Sequence, residues 1–579
     1  KRAKINELRL SYGFEYGVDT PTARPEFIGS IDWMQGLNEV SYNGGATSQY
    51  SQYAKDYIEN YAQNHIKDPD LYPDSDWMSA GLAKSATHKR HSFNLSGGTS
   101  KLKTNFSVNY YDADGLSPKQ NYKRFNIRSN NDYNVNEWIH ASADVNITYG
   151  SKTAPHFQEG SILQSLMFRA PIYPIWYADG EYAYGKSGDN SIAAMDLAGK
   201  KLDDTYNLTS KMQLDFTLLK GLTVSAAVAP SLMFFEEKDH SVGFKLRDSG
   251  GDYKPATQYG STQVQEPRNS SRSLTTQFYA NYKLDAKKHS FNAMAGYEGY
   301  YYEYANVSAK RTNYSLDAYP YLSVGPEDYQ YNTGVGNHQA YNSVFGRIMY
   351  SYANKYLIQA NVRADASSRF ANGYRWGTFP SVSAGWVISE EPWFNVNGIN
   401  TLKLRASAGQ LGNEQISGNY FPYMATLSLG TAYLPTTAGS VELAQTGYQM
   451  DYAFNDITWE TTTSYDLGLD LSALDSRLRF SGDVYYKKTT DMLEYIGFPL
   501  YFGYNAPKYN VADMHTTGWE FEIAWNDQIG DFAYGASFNL SDYRSKMGYM
   551  SDRRNISGNK LIEEGSYYQE WYLWQSDGI

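Results

Sequence analysis

None of the 579 residues is a cysteine. That absence excludes a disulfide framework, thiol chemistry and cysteine-ligated metal sites, and it suits an oxidising compartment. Long apolar runs are missing too. The longest near-apolar stretch, SAAVAPSLMFF from Ser225, holds a proline and falls short of the roughly 18 residues that a spanning helix needs. Helical membrane proteins are thereby excluded. Positive charge is also in deficit: 51 Lys and Arg against 62 Asp and Glu give −11, the wrong sign for neutralising nucleic-acid phosphates. Neither H-E-x-x-H nor G-x-S-x-G occurs, so no enzyme of those types is expected. A repeat of about 40–50 residues, which a soluble propeller would show, is not found either.

Three short candidates for known chemistry fail on context. GEYAYGKS, Gly180–Ser187, has the spacing of a phosphate-binding loop, but such a loop follows a buried strand and opens a helix. Here two prolines in APIYPIW precede it and GDNS, a turn, follows. His88 and His91 are the closest histidine pair; three apart on a strand, they point to opposite faces and cannot share a metal. The acidic run DPDLYPDSDW (Asp68, Asp70, Asp74, Asp76) has two prolines and no spaced glycine, unlike an EF-hand, and reads as a solvated loop. No metal and no cofactor are expected.

What the chain does have is tyrosine, 55 of them beside 25 Phe and 12 Trp, at a mean hydropathy of −0.59. The apolar residues are dispersed, and the dispersal has a period of two. Leu8, Leu10, Tyr12, Phe14 and Tyr16 alternate with Arg9, Ser11, Gly13 and Glu15, which a strand sorts onto two faces. The stretch WIHASADVNITYG at Trp138 does the same. Further segments of this kind are Ser92–Gly98, Leu102–Tyr111, Arg124–Tyr133, Asn207–Leu219, Leu222–Ala229, Leu274–Leu284, Ser290–Tyr300 and Val344–Tyr352. The series continues with Leu357–Phe370, Phe379–Ser389, Leu402–Gly409, Ser464–Leu471, Leu478–Lys487, Gly518–Trp525 and Phe532–Ser541, about 17 strands in all.

The links between them alternate in length. GTSK, NVNE, KG, DAKK, ANK and NDQIG are short, whereas Gly17–His88, Ser151–Tyr206 and Leu411–Thr463 are long. Short turns on one side and large loops on the other are the mark of a transmembrane β-barrel, with aromatic girdles at the strand ends accounting for much of the tyrosine. The expected fold is therefore all-β, a large antiparallel outer-membrane barrel with short periplasmic turns and long extracellular loops. On its second strand face, Gln359, Asn361, Arg363 and Asp365 are expected to line the lumen, Arg363 and Asp365 close enough to pair with each other or with whatever fills the lumen.

One loop stands out as a candidate binding site. YPIWYADGEYAYG gathers Tyr173, Trp176, Tyr177, Tyr182 and Tyr184 around Asp179. Aromatic rings beside a carboxylate suit an amphipathic ligand such as a sugar; the same rings would equally serve to pack the loop against the barrel mouth or a partner.

Several stretches resemble a known family. KYLIQANVRADASSRFANGYRWGTFPSVSAGWVISEEPWF (Lys355–Phe394), LKLRASAGQLGNEQISGNYFPY at Leu402, and the run from ITWETTTSYDLGLDL through RLRFSGDVYYKKTTDML to NVADMHTTGWEFEIAW are similar to the SusC/RagA-like TonB-dependent outer-membrane transporters of Bacteroidetes, as are the shorter YPDSDW and APIYPIWYADGEY. The resemblance implies active import driven by TonB through a plug in the barrel, with a SusD-like surface lipoprotein as lid over the outer loops. It implies oligosaccharides as substrate first and oligopeptides second. The resemblance implies a barrel of the plugged class, with 22 strands where porins have about 16–18; roughly 17 strands seen plus about five absent fit 22, which favours a transporter over a passive porin. An odd strand number does not close a bacterial barrel, and KRAKINELRL at the start is already strand-like. Residues 1–579 are therefore expected to be an incomplete barrel domain, with the plug domain before it and the last of the 22 strands after it.

Overall fold

The computed structural model describes residues 7–157, 161–415, 420–435, 439–495, 499–505, 508–550 and 554–575. Residues 1–6 of the strand-like start, 416–419 of the second family-like stretch and the closing 576–579 lie outside them.

Seventeen strands form one antiparallel sheet: β1 (Leu8–Asp19), β2 (Ala86–Gly98), β3 (Leu102–Asp114), β4 (Asn121–Asn134), β5 (Ile139–Pro155), β6 (Gly199–Leu219), β7 (Leu222–Ser241), β8 (Gln263–Ala286) and β9 (His289–Thr312). The sheet continues with β10 (Gln330–Tyr352), β11 (Tyr356–Ser367), β12 (Trp376–Val387), β13 (Ile399–Asn413), β14 (Glu460–Ala473), β15 (Leu478–Tyr495), β16 (Lys508–Ile529) and β17 (Phe532–Met547). Every strand pairs with the one before and after it, an up-and-down meander whose members coincide one for one with the segments read from alternation. The physical cause is the same period of two: on β11, Ile358 and Val362 are exposed on the outer face while Gln359, Asn361 and Arg363 sit on the inner one. Leu10, Val344, Val382 and Val484 extend the same outward apolar band around the sheet, the surface that lipid covers.

Sidedness follows from parity rather than length. The turn between β10 and β11 is tight, with Ala353 and Asn354 both left-handed at φ +52° and +57°, as a close hairpin requires. The link between β12 and β13 lies on the same side yet is longer than the one between β3 and β4 on the other.

Many strands run further outward than expected. β6 begins at Gly199 instead of Asn207, β8 at Gln263 instead of Leu274, and β10 at Gln330 instead of Val344. Beyond the apolar band both faces meet water, as the unbroken exposure at the start of β10 shows, so sequence alternation fades while backbone pairing persists. β11 stops at Ser367 rather than Phe370 because Phe370 turns into a fully buried cluster with Ile457, Trp459 and Leu493. The expectations missed six helices in the outer loops: α1 (Ser30–Asn43), α2 (Lys55–Glu59), α3 (Tyr61–Lys67), α4 (Trp77–Gly81), α5 (Ile162–Met167) and α6 (Ser191–Leu197).

Candidate functional site

The outer loops after β1, β5 and β7 condense into one platform. Its short helices start where capping side chains satisfy free backbone N–H groups. Asp76 accepts from Ser79 N at 3.0 Å to start α4, Ser161 Oγ from Gln164 N at 3.0 Å to start α5, and Asn190 Oδ1 from Ala193 N at 3.0 Å to start α6. Bonds from the hydroxyl and backbone N–H of Ser79 hold the Asp76 carboxyl below its ordinary range. The apolar faces of these helices then meet: Trp77 and Met78 of α4 pack with Leu166 of α5, with Ile192 and Met195 of α6, and with Ile175. A second cluster joins Ala193, Ala194 and Ala198 to Leu246, Ala256 and Tyr259 of the loop after β7. Met34, Ile58 and Tyr61 form a third beneath α1–α3, where burial pushes the Tyr61 hydroxyl up to about 12.

Polar side chains lock the seams. Asn190, buried, also donates to Ile175 O at 2.8 Å and Ala183 O at 2.9 Å. Arg169 donates to Asp189 Oδ1 at 2.7 Å and Ser191 Oγ at 2.8 Å, tying α5 to α6. Lys119, from the tight loop between β3 and β4, donates to Asp196 O at 2.6 Å and pairs with its carboxylate, which holds that carboxyl low.

The predicted aromatic loop lies in the middle of this platform. Trp176 and Tyr182 bridge antiparallel, Tyr177 N bonds Glu181 O at 2.9 Å, and Gly180 turns between them at φ +89°. Ala183 bridges Arg247 of the neighbouring loop. The guanidinium of Arg247 lies over the Tyr177 ring at 4.6 Å and pairs with Asp179, whose carboxyl is held low by the Glu181 N–H and then by Arg247. The six predicted residues are therefore together but differently placed. Tyr177 is 8% exposed, and Tyr173, Tyr182 and Tyr184 pack on the buried clusters, whereas Trp176 is 43% exposed. The Tyr182 hydroxyl donates to Asp196 at 3.0 Å; burial followed by that carboxylate pushes it above its ordinary range. Beside the loop, a cleft of about 840 Å³ opens between the first and third outer loops, lined among others by Arg24, Phe27, Trp33, Met167 and Phe168.

Sequence reading did not pick out Asn190 or Arg247. Asn190 carried a local signal, a capping residue before SIAAMD; Arg247 had none, its partners being far away in the chain. Gly180–Ser187 runs as bridge and turn, and the next helix starts only at Ser191. Each acidic side chain of Asp68–Asp76 accepts a backbone N–H: Leu71, Ala178, Ser30 and Ser79 for Asp68, Asp70, Asp74 and Asp76 in turn. His88 bonds Asp19 and Glu15 while His91 bonds Tyr12, on opposite faces of β2.

Below the platform the inner wall is polar and internally paired. Arg363 donates to Asp365 at 2.7 Å, Glu298 at 2.8 Å and Ser343 at 2.8 Å, and Arg405 sits between Asp470 at 2.9 Å and Asp483 at 2.9 Å.

The family described as TonB dependent receptor-like, beta-barrel, matches residues 6–567. The chain belongs to that family. It is a transporter and receptor family of the outer membrane rather than one of enzymes, and the long-loop side of the sheet is its extracellular side. TonB-dependent receptor P39 of Formosa agariphila is 29% identical over 84% of this chain and 45% of its own length. TonB-dependent receptor SusC of Bacteroides thetaiotaomicron is 25% identical over 93% and 57%. The chain thus spans about half the length of the curated relatives it matches. Among solved structures, the RagAB peptide transporter superposes with a TM-score of 0.81 at 21% identity, over 99% of this chain and 65% of that one. The outer membrane transporter YddB from Escherichia coli gives 0.54 at 10% identity. The solved structures agree on the fold, and SusC among the relatives on the SusC/RagA type.

Proposed function

We propose that the protein imports oligosaccharides, the breakdown products of glycans, across the outer membrane, driven by TonB and assisted by a SusD-like surface lipoprotein that closes over the outer loops. The observation that carries the sugar reading is Trp176, the exposed ring of a loop whose Tyr173, Tyr177, Tyr182 and Tyr184 are packed away. Asp179, three residues along the same loop, and Arg247 paired with it would add a hydrogen-bonding rim to an apolar face, the combination that a pyranose needs. Tyr173, Tyr177, Tyr182 and Tyr184 complete this substrate-binding loop by fixing the ring's position, and the adjacent cleft has room for further sugar units.

The test is purification of the full-length protein from its native outer membrane in mild detergent, with mass spectrometry of everything that accompanies it. A lipoprotein with oligosaccharide supports this reading. The same lipoprotein with mixed peptides transfers it to oligopeptide import, and no partner removes it. Planar-bilayer conductance is a second check: a steadily open channel would make the protein a porin.

A further inference from the structure

β9 contains GYYYEY, Gly299–Tyr304. Period two splits it: Tyr301 and Glu303 face outward and are exposed, while Tyr300, Tyr302 and Tyr304 face the lumen, half-buried. The side is fixed by Glu298, which shares their face and bonds Arg363 across the inner wall. Register sets Tyr300 opposite Tyr341, Tyr302 opposite Gln339 and Tyr304 opposite Asn337 on β10. The Tyr300 and Tyr341 rings stack at 4.8 Å, 13° from parallel. Alternate residues of a strand stand about 6.5–7 Å apart, so three rings make an unbroken aromatic stripe up the outer half of the strand.

Polar groups frame that stripe. Arg369 donates to Gln339 Oε1 at 2.7 and 3.0 Å, lies 4.8 Å from the Tyr420 ring of the loop after β13, and pairs with Glu414 at 3.7 Å. The second carboxylate oxygen of Glu414 is buried without a hydrogen-bond partner. Nothing in the platform described above involves these residues.

We propose that Tyr302 and Tyr304, continued by Tyr300, Tyr341 and Tyr420, form an inner-wall track that stacks the rings of a neutral oligosaccharide as it leaves the mouth for the lumen. The inference rests on the glycan-import reading and extends it to a second site. Flat rings meet the C–H faces of a pyranose; Asn337 and Gln339 meet its hydroxyls. Arg369 and Glu414 cancel in charge, which fits a neutral ligand. Repeated weak sites let a ligand advance without a deep trap, the condition for passage through any pore.

The experiment uses the full-length transporter with its partner lipoprotein, in cells lacking the native copy. It measures uptake of maltohexaose, cellohexaose, xylohexaose and a tryptic peptide mixture, and hexaose binding to the purified complex. Tyr302→Ala with Tyr304→Ala is expected to slow hexaose uptake about tenfold, the loss of two stacking contacts, while binding at the outer loops stays within about twofold. Tyr302→Phe with Tyr304→Phe should restore uptake, and Tyr302→Leu with Tyr304→Leu, which keeps apolar bulk, should not. Unchanged uptake in the Ala or Leu pair while the wild type imports a hexaose overturns the track and leaves glycan import standing. A wild type that imports peptides and none of the hexaoses overturns both. Vancomycin sensitivity in the Ala pair would show that the rings hold protein in the lumen and would also overturn the track.

Discussion

The outer loops of the early strands and those of the late strands are built in opposite ways. Before β8, capped helices and three buried clusters turn the loops into a folded body with its own core. After β13, the loop projects a hairpin of Ser428–Pro435 and Val441–Tyr448 whose Leu429, Tyr433, Val441 and Leu443 lie exposed, with Leu427 beside them at 75%. The root of this loop is packed, Phe370, Ile457, Trp459 and Leu493 burying one another. The difference teaches that loop length does not decide order. What decides it is whether helix caps and apolar residues from separate loops arrive at the same place.

The contrast can be broken most forcefully at Trp77, 3% exposed and bonded through Nε1 to Ala170 O at 3.2 Å. Trp77→Ala should cost the platform roughly 3–5 kcal/mol. Hydrogen exchange would then show α5 and α6 exchanging as fast as the late hairpin, with the sheet unaffected. Asn190→Ala comes next. It removes a cap, takes the Asn190 donor from Ala183 O and leaves Ile175 O with the Ala183 N–H alone, a loss of roughly 1–3 kcal/mol, read as lost protection over residues 175–198 alone.

Acid acts more gently. Asp76, Asp179 and Asp196 have carboxyls held below their ordinary range, so their contribution is present above the unfolded value of about 4 and fades only as pH falls through the lower folded values. Limited pepsin digestion should therefore leave the platform intact at about pH 4 and begin to cut it only at lower pH. Cutting already at pH 5 would refute that assignment. The smallest effect is expected in the late hairpin: Leu429→Ser with Tyr433→Ser should shift stability by less than about 0.5 kcal/mol, because neither side chain is buried against anything in the chain. A larger loss, seen as lowered thermal stability of the isolated protein, would show that the two regions differ less than their exposure implies.

The sheet was legible because lipid and lumen impose one rule on every strand. Leu8 to Tyr16 and Ile139 to Tyr149 announce it residue by residue, and all seventeen strands were found from it. Their outer halves were not: Gln330–Asn342 is polar on both faces, so pairing there is dictated by strands already zipped below. The loop cores escaped for another reason. Trp77, Leu166, Ile192 and Leu246 lie in apolar patches of a few residues with no period to mark them, and they become a core only when loops distant in sequence fold together. The aromatic loop was visible as composition, but which of its rings would stay open depended on Arg247, which covers Tyr177, and on the clusters that take in Tyr173, Tyr182 and Tyr184. The tyrosines of β9 sat in plain alternation just past the end of the expected strand Ser290–Tyr300.

The tight turns on the periplasmic side, such as Ala353–Asn354 in the left-handed region, also determine where the molecule can change over generations. Side chains alternate with a strict period of two, so one residue added within such a turn and taken up by the strand exchanges every lumen and lipid position after it. The extracellular loops absorb insertions without disturbing any register. Heritable novelty is thereby channelled to one side of the membrane: a lineage can acquire new recognition by rewriting the surface it shows to the environment, while the edge facing the cell stays frozen.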